Sequence, residues 1–166
     1  PQAAIFLPLG IPDFLPVNSP PFAAFIVHAA ITLSPTEFAL RLFHTSDWHL
    51  GQNLHGQERD FEHGCFLDWL LRQLKLDQPD VLLIAGDVFD TVNPPVKAQE
   101  RLYDFIVSAH EQQPRLTIVM IAGNHDSGSR IELPAPLMRR LRTHALGRVL
   151  WLDDGQLDAE RLLLPL

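Results

Sequence analysis

The sequence predicts an α/β fold built on a parallel sheet, and three observations carry that expectation. Apolar runs at residues 40–45, 81–85 and 116–122 have the length and composition of buried strands. Between them lie stretches with apolar residues at helical spacing, each closed by a Gln-Pro pair. All three runs also end in a cluster of Asp, His or Asn. In open sheets of this class, ligands bind outside the carboxyl ends of the strands.

Taken in order, Leu40–Thr45 is the first strand and feeds a polar loop from Ser46 to Gln57. A helix is predicted from about Glu58 to Leu76, with Phe61, Cys65 and Trp69 stacked at four-residue spacing and Phe66, Leu70 and Leu74 in a row beside them. Asp80 opens the second strand, Val81–Ala85, whose unbroken apolar run implies burial on both faces. After the loop from Gly86 to Thr91, Asn93 is assigned as N-cap and Pro94 as first helical residue of a second helix. Its inner stripe is Ala98, Leu102, Phe105, Ile106 and Ala109, and it ends before Pro114. Leu116–Ala122 is the third strand. A third helix from Pro134 to His144 and a fourth strand, Arg148–Leu152, turning at Asp153-Asp154-Gly155, complete the order βαβαβαβ. The tail Leu162–Leu166 reads as the start of a further strand, and Trp69 and Trp151 are assigned to the core.

The bulk properties narrow the class. A chain of 166 residues with 46% hydrophobic content can bury one ordinary core. A single cysteine, Cys65, excludes an intrachain disulfide and suits a reducing compartment. The net charge of −7 argues against coating nucleic acid by bulk electrostatics, although bound metal ions can supply positive charge locally. The longest apolar stretch near the N-terminus, Phe22–Leu33, is too short to span a membrane. Residues 1–38 differ from the rest: they hold seven of the 14 prolines, while all 13 Lys and Arg lie from Arg41 onward. They are read as an irregular Pro-rich extension, consistent with a misplaced start, because proline at that density blocks helix and sheet ladders.

The polar clusters carry the chemistry. Asp47 and His49 are two residues apart, so in extended backbone both side chains leave on one side and could grip a single cation. Asp87 follows an apolar strand and Gly86, and a carboxylate in that position has two oxygens to bridge two ions. Asp90 reads as a capping or supporting group, not a direct ligand. Asn124 offers an amide oxygen suited to a hard divalent cation. His125 is placed to act on substrate, with Asp126 orienting it and raising its pKa. Trp48, between Asp47 and His49, is expected to wall the site. His28, His44, His55, His63 and His110 are taken as surface or packing residues. Arg130, Arg139, Arg140, Arg142 and Arg148 are taken as a solvated face, with tracking of a nucleic-acid backbone the alternative.

The strings Asp47-Trp48-His49, Gly86-Asp87-Val88-Phe89-Asp90 and Gly123-Asn124-His125-Asp126 together resemble the first three blocks of the calcineurin-like metallophosphoesterases. The longer match from Leu42 to Gln52, with Ala85–Thr91 and Ala122–Ser127, resembles that family's DNA-repair nucleases, which work with an SMC-like ATPase. The resemblance runs from about residue 40 to at least residue 155. It implies a layered metallophosphoesterase fold of which only the N-terminal βαβαβαβ half is present. Residues 39–166 are then the N-terminal part of the nuclease domain.

By the same resemblance, two divalent ions, Mn2+ before Mg2+, would be held by Asp47 and His49 on the first, Asp87 as bridge and Asn124 on the second. His125, held by Asp126, would act on the scissile phosphate. The implied activity is exonuclease on double-stranded DNA and endonuclease on single-stranded or hairpin DNA, in the bacterial cytoplasm. The implied partners are DNA, the ATPase subunit and a second nuclease subunit, pairing through the helices near 58–76 and 95–112. The family completes its metal shells with histidines from later Gly-His and Gly-His-x-His blocks, and neither block stands in these residues. The expectation is therefore a fragment with weak activity or none. A phosphatase or cyclic-nucleotide phosphodiesterase, or a non-catalytic fragment, is the alternative.

Overall fold

The computed structural model describes residues 27–32 and 39–164. Five strands form one sheet in the order β1-β2-β5-β6-β7, with β1 Val27–Thr32, β2 Ala39–Thr45, β5 Val81–Ala85, β6 Thr117–Ile121 and β7 Thr143–Leu146. Strands β2, β5, β6 and β7 are parallel, and β1 is an antiparallel edge on β2. A two-residue hairpin, β3 Asn53–Leu54 with β4 Gln57–Glu58, sits in the first loop. The βαβ crossovers set the predicted order, and β5 and β6 occupy the expected residues within one position at either end.

Helices α1, Asp60–Asp77, and α2, Val96–Gln112, cover one sheet face. That face presents Phe43, Leu82, Ile84, Ile118 and Met120, which pack with Phe66, Leu70 and Leu74 of α1 and Leu102, Phe105 and Ile106 of α2. Trp48 lies inside this cluster, edge-on to Phe66 and Phe105, and its indole N–H donates to Thr45 Oγ1 at 3.1 Å. It is a core residue and not the wall of a site. In α1 the Phe66–Leu70–Leu74 row is the buried one; Phe61 and Cys65 face solvent, and Trp69 packs at the cluster's edge. Both rows were apolar, so the sheet and not the periodicity chose between them. Helix α1 ends where Gln78 turns left-handed at φ 47°, its N–H returning to Leu74 O, ahead of Pro79.

Several expectations need correction. Helix α2 starts at Val96, with Pro95 as its cap, instead of at Pro94 behind Asn93. Pro95 holds residue 94 out of the helical region, so the first turn slides by two residues. A short helix, α3 Gly128–Glu132, precedes the single helix expected at 134–144, which is instead α4 Ala135–Met138 and a 3₁₀ turn at Arg139–Leu141. Arg142 then turns left-handed at φ 49° and Thr143 begins β7. The open edge of β6 decides this, because its backbone groups need partners: Ile118 N–H reaches Arg142 O and Ala122 N–H reaches Leu146 O.

Residues 148–152, expected as the fourth strand, lie outside the sheet with one bridge between Trp151 and Leu157. Trp151 is 69% exposed and is not core. Ala159–Leu162 forms a 3₁₀ turn where the tail was expected to begin a strand. In the extension expected to be irregular, Val27–Thr32 pairs with β2 along six residues. Pro21 and Pro35 bracket that stretch without entering it, which leaves its backbone N–H groups free to pair. The rest of that expectation falls outside the described residues. No helix among the described residues is long and apolar enough to cross a membrane.

Candidate metal centre

Three loops leave the carboxyl ends of β2, β5 and β6 side by side, and backbone hydrogen bonds lock the first two together. Asp47 N–H donates to Gly86 O, His49 N–H to Asp87 O, Leu50 N–H to Val88 O and Asp90 N–H to Leu50 O, all at 2.9–3.2 Å. Asp47, His49 and Asp87 have φ of 57°, 45° and 49°. Their convergence therefore comes from left-handed residues and not from the extended backbone expected for Asp47 and His49. The left-handed conformation costs a residue with a Cβ roughly 1–2 kcal/mol, so the hydrogen-bonded ladder has to hold it.

The third loop closes on the second through glycine. A Cβ on Gly123 would stand 2.2 Å from Asp87 Oδ1, and one on Gly86, at φ 90°, would stand 3.3 Å from Gly123 Cα. The two loops meet backbone to backbone, which only glycine permits. Asp126 completes the clasp. Its buried carboxylate accepts from Gly123 N–H at 2.9 Å, Val88 N–H at 3.1 Å and Phe89 N–H at 2.8 Å. This corrects the expectation that Asp126 orients His125, because both its oxygens are taken by backbone donors from two loops.

His125 is instead fixed by other groups. Its backbone N–H donates to Asp87 Oδ1 at 3.0 Å, and its ring Nδ1 lies 2.9 Å from the Asp90 carbonyl. A carbonyl only accepts, so Nδ1 carries a proton and Nε2 is the ring nitrogen left for other partners. The His125 pKa is raised, first by that bond to Asp90; desolvation opposes it next, and the nearby carboxylates of Asp87, Asp90 and Asp126 add smaller upward pushes. The expected direction holds, but the carbonyl of Asp90 leads and Asp126 contributes least.

His49 Nε2 stands 3.9 Å from both Asp47 Oδ1 and Asp87 Oδ2, and one donor atom from each residue lies within 4.8 Å of the others. Ligands about 2.1 Å from one cation at right angles lie about 3 Å apart, so each carboxylate needs to approach His49 by only about an ångström. Two carboxylates and an imidazole form a hard-to-borderline donor set that suits a divalent ion. His49, Asp90 and His125 form a second group of the same compactness, and the His49 and His125 rings meet edge-on at 5.0 Å. Asn124 is exposed between Gly123 and His125, the two residues that close on Asp87. Gln52 and Arg59 were not foreseen: Arg59 Nη1 donates to Gln52 Oε1 at 2.7 Å, and Gln52 Nε2 to Asp90 Oδ1 at 3.2 Å. No spacing rule marks them, because the hairpin β3–β4 and the start of α1 bring them in.

A parallel sheet with acidic and imidazole groups gathered at its carboxyl end is the frame of a metal-assisted phosphoesterase. The calcineurin-like phosphoesterase family profile matches residues 40–162, and the chain belongs to that family. Within it, the chain is similar to the SbcD component of the SbcCD nuclease of Rhodobacter capsulatus, 45% identical over 127 residues that make up 76% of this chain and 31% of that protein. It is also similar to the proteins of the same name from Escherichia coli K12, 44% identical over 63% of this chain and 26% of the relative, and Bacillus subtilis, 42% over 65% and 27%. The chain thus spans about a third or less of the relatives it matches.

Proposed function

We propose that this chain is part of a metal-dependent DNA nuclease of the SbcD type, a phosphodiester hydrolase of DNA repair and recombination. The observation that carries the reading is the convergence of Asp47, His49 and Asp87 within 4.8 Å, beside an exposed His125 held at both its backbone N–H and its ring. Asp47 and His49 would hold one divalent ion, Asp87 would bridge, and Asn124 would contribute to a second. Mn2+ is the proposed ion, with Mg2+ the alternative. Bound ions of this kind neutralise phosphate charge and acidify a water molecule. His125, an exposed residue, would present its Nε2 to the scissile phosphate and pass a proton to the departing oxygen.

The substrates proposed are double-stranded DNA ends, for exonuclease action, and single-stranded or hairpin DNA, for endonuclease action. The partners are an SbcC-type ATPase and a second copy of the nuclease, in the bacterial cytoplasm. Pairing of the two nuclease copies is proposed on the outer faces of α1 and α2, where Phe61, Leu76, Val96 and Val107 are exposed beside a groove between the helices. The same chemistry would serve a phosphatase or a cyclic-nucleotide phosphodiesterase, so a comparison of substrates is the test. Duplex DNA ends and bis(p-nitrophenyl) phosphate are offered separately with Mn2+, and turnover is expected to be weak and on DNA. Cleavage of the small ester alone would sink the nuclease reading. Calorimetric titration should show one weak Mn2+ site that Asp87→Ala removes, and no binding at all would leave a non-catalytic fragment.

A further inference from the structure

Asp90 touches both histidines of the site, through different atoms. Its carbonyl receives His125 Nδ1 at 2.9 Å, while its carboxylate Oδ1 stands 3.3 Å from His49 Nδ1. His49 Nδ1 is buried and makes no hydrogen bond of good geometry among the described residues, so Asp90 Oδ1 is the acceptor it faces. The opposite ring atom, His49 Nε2, faces Asp47 and Asp87 at 3.9 Å each. The carboxylate is itself held from behind by Gln52, which is held in turn by Arg59.

We infer that Asp90 is a positioning residue, whose carboxylate keeps the proton of neutral His49 on Nδ1 and so leaves the Nε2 lone pair free for a divalent cation. A histidine that binds metal through one nitrogen needs the other to carry the proton, and an anionic acceptor beside that nitrogen fixes both tautomer and ring angle. A rotation that shortens the 3.3 Å contact by a few tenths of an ångström gives an ordinary charge-assisted bond. Gln52 and Arg59 are then the outer links of the same chain, and the hairpin β3–β4 serves to bring them there. The inference rests on the metal-centre reading above, but the tautomer of His49 can be read without metal.

The test uses this chain with Asp90→Ala and Asp90→Asn, which change the carboxylate and keep the carbonyl that holds His125. In metal-free buffer with EDTA at alkaline pH, long-range ¹H–¹⁵N spectra report which ring nitrogen is protonated. His49 is expected as the Nδ1–H form in the parent chain and to shift toward Nε2–H in Asp90→Ala, while His125 keeps its own pattern in both. Mn2+ affinity by calorimetry should fall about 10–100-fold in Asp90→Ala, less in Asp90→Asn, whose amide oxygen still accepts. An unchanged His49 tautomer in Asp90→Ala overturns the proposal. Complete loss of Mn2+ binding in both variants, with the tautomer unmoved, would instead make Asp90 a direct ligand alongside His49 and His125. Absence of Mn2+ binding to the parent chain defeats the metal-centre reading and leaves the spectra to decide the role of Asp90.

Discussion

Left-handed backbone at Asp47, His49 and Asp87 puts strain where the candidate ligands sit, and such strain persists only where the surroundings over-determine it. Beside the backbone ladder, two groups brace these loops. The Asp126 carboxylate ties the Gly123 loop to the Val88–Phe89 loop with three charge-assisted bonds, and Gly123 lets Asp87 lie against it with no side chain between. Gly123→Ala should therefore move Asp87, since its Cβ would fall 2.2 Å from Oδ1. We expect a loss of at least about 2 kcal/mol in urea unfolding, the size of effect seen when a special backbone position is violated, and at least a tenfold loss of Mn2+ affinity. Gly56→Ala is the control: Gly56 also has positive φ, but a Cβ there meets nothing within 4 Å. It should cost about 1 kcal/mol of backbone strain and leave metal binding unchanged. Equal effects of the two substitutions on Mn2+ affinity would show that contact with Asp87 is not what matters at position 123.

The elements were legible in sequence where one signal dominated. The β5 and β6 runs, the Gln-Pro helix stops and the three polar loop clusters all survive in the structure, because a buried parallel strand and a proline break leave few alternatives. Legibility failed where two local readings competed and a distant partner decided. Residues 143–146 sit in a helix-forming stretch, yet they become β7 because β6 has an open edge. Asp126 looked like the partner of its sequence neighbour, but the donors it satisfies are up to 38 residues away. The joint between α2 and β7 shows what such pairing contributes. His110 Nε2 lies 2.9 Å from Thr143 Oγ1, both residues are buried, and the Thr143 hydroxyl donates to Leu141 O. His110 Nε2–H is therefore the donor to Thr143 Oγ1. Burial, and then Arg142, lower its pKa below the ordinary value of about 6.5. With the folded pKa below the unfolded one, the unfolded chain takes the proton first. Stability is then complete above about pH 6.5 and falls as pH drops from there toward the folded pKa. His63 and His144 are lowered in the same sense and His125 is raised in the opposite one. His110→Gln should make the stability–pH curve shallower below about pH 6.5, measured by urea midpoints at each pH. An unaltered slope would assign the effect to the other histidines.

At the scale of the whole molecule, the candidate centre joins loops from three parallel strands in a chain of net charge −7. Asp47, Asp87 and Asp90 meet around two histidines there, so without a cation the folded state brings like charges together on left-handed backbone. Unfolding separates those carboxylates and destroys the ligand set at once. A divalent ion that recognises the set binds the folded chain alone and must stabilise it by mass action. At a free Mn2+ concentration about 100 times the dissociation constant, the gain is about 2.7 kcal/mol, which for a chain of this size raises Tm by roughly 5–10 °C. The measurement is a thermal melt in Mn2+ against one in EDTA, with NaCl added to match ionic strength. Salt alone screens repulsion between the carboxylates and gives a small shift without saturation, whereas site binding saturates. Asp87→Ala separates the two further, because it removes one like charge and so relieves repulsion, yet it also removes the group shared by the two loops. The variant also loses the acceptor of the His125 N–H and places Ala in left-handed backbone, so its Tm in EDTA should fall, and the readout is the Mn2+-dependent rise of each protein, most of which the variant should lose. A rise of full size in Asp87→Ala would mean that Mn2+ acts on the acidic surface as a whole and not on these three loops.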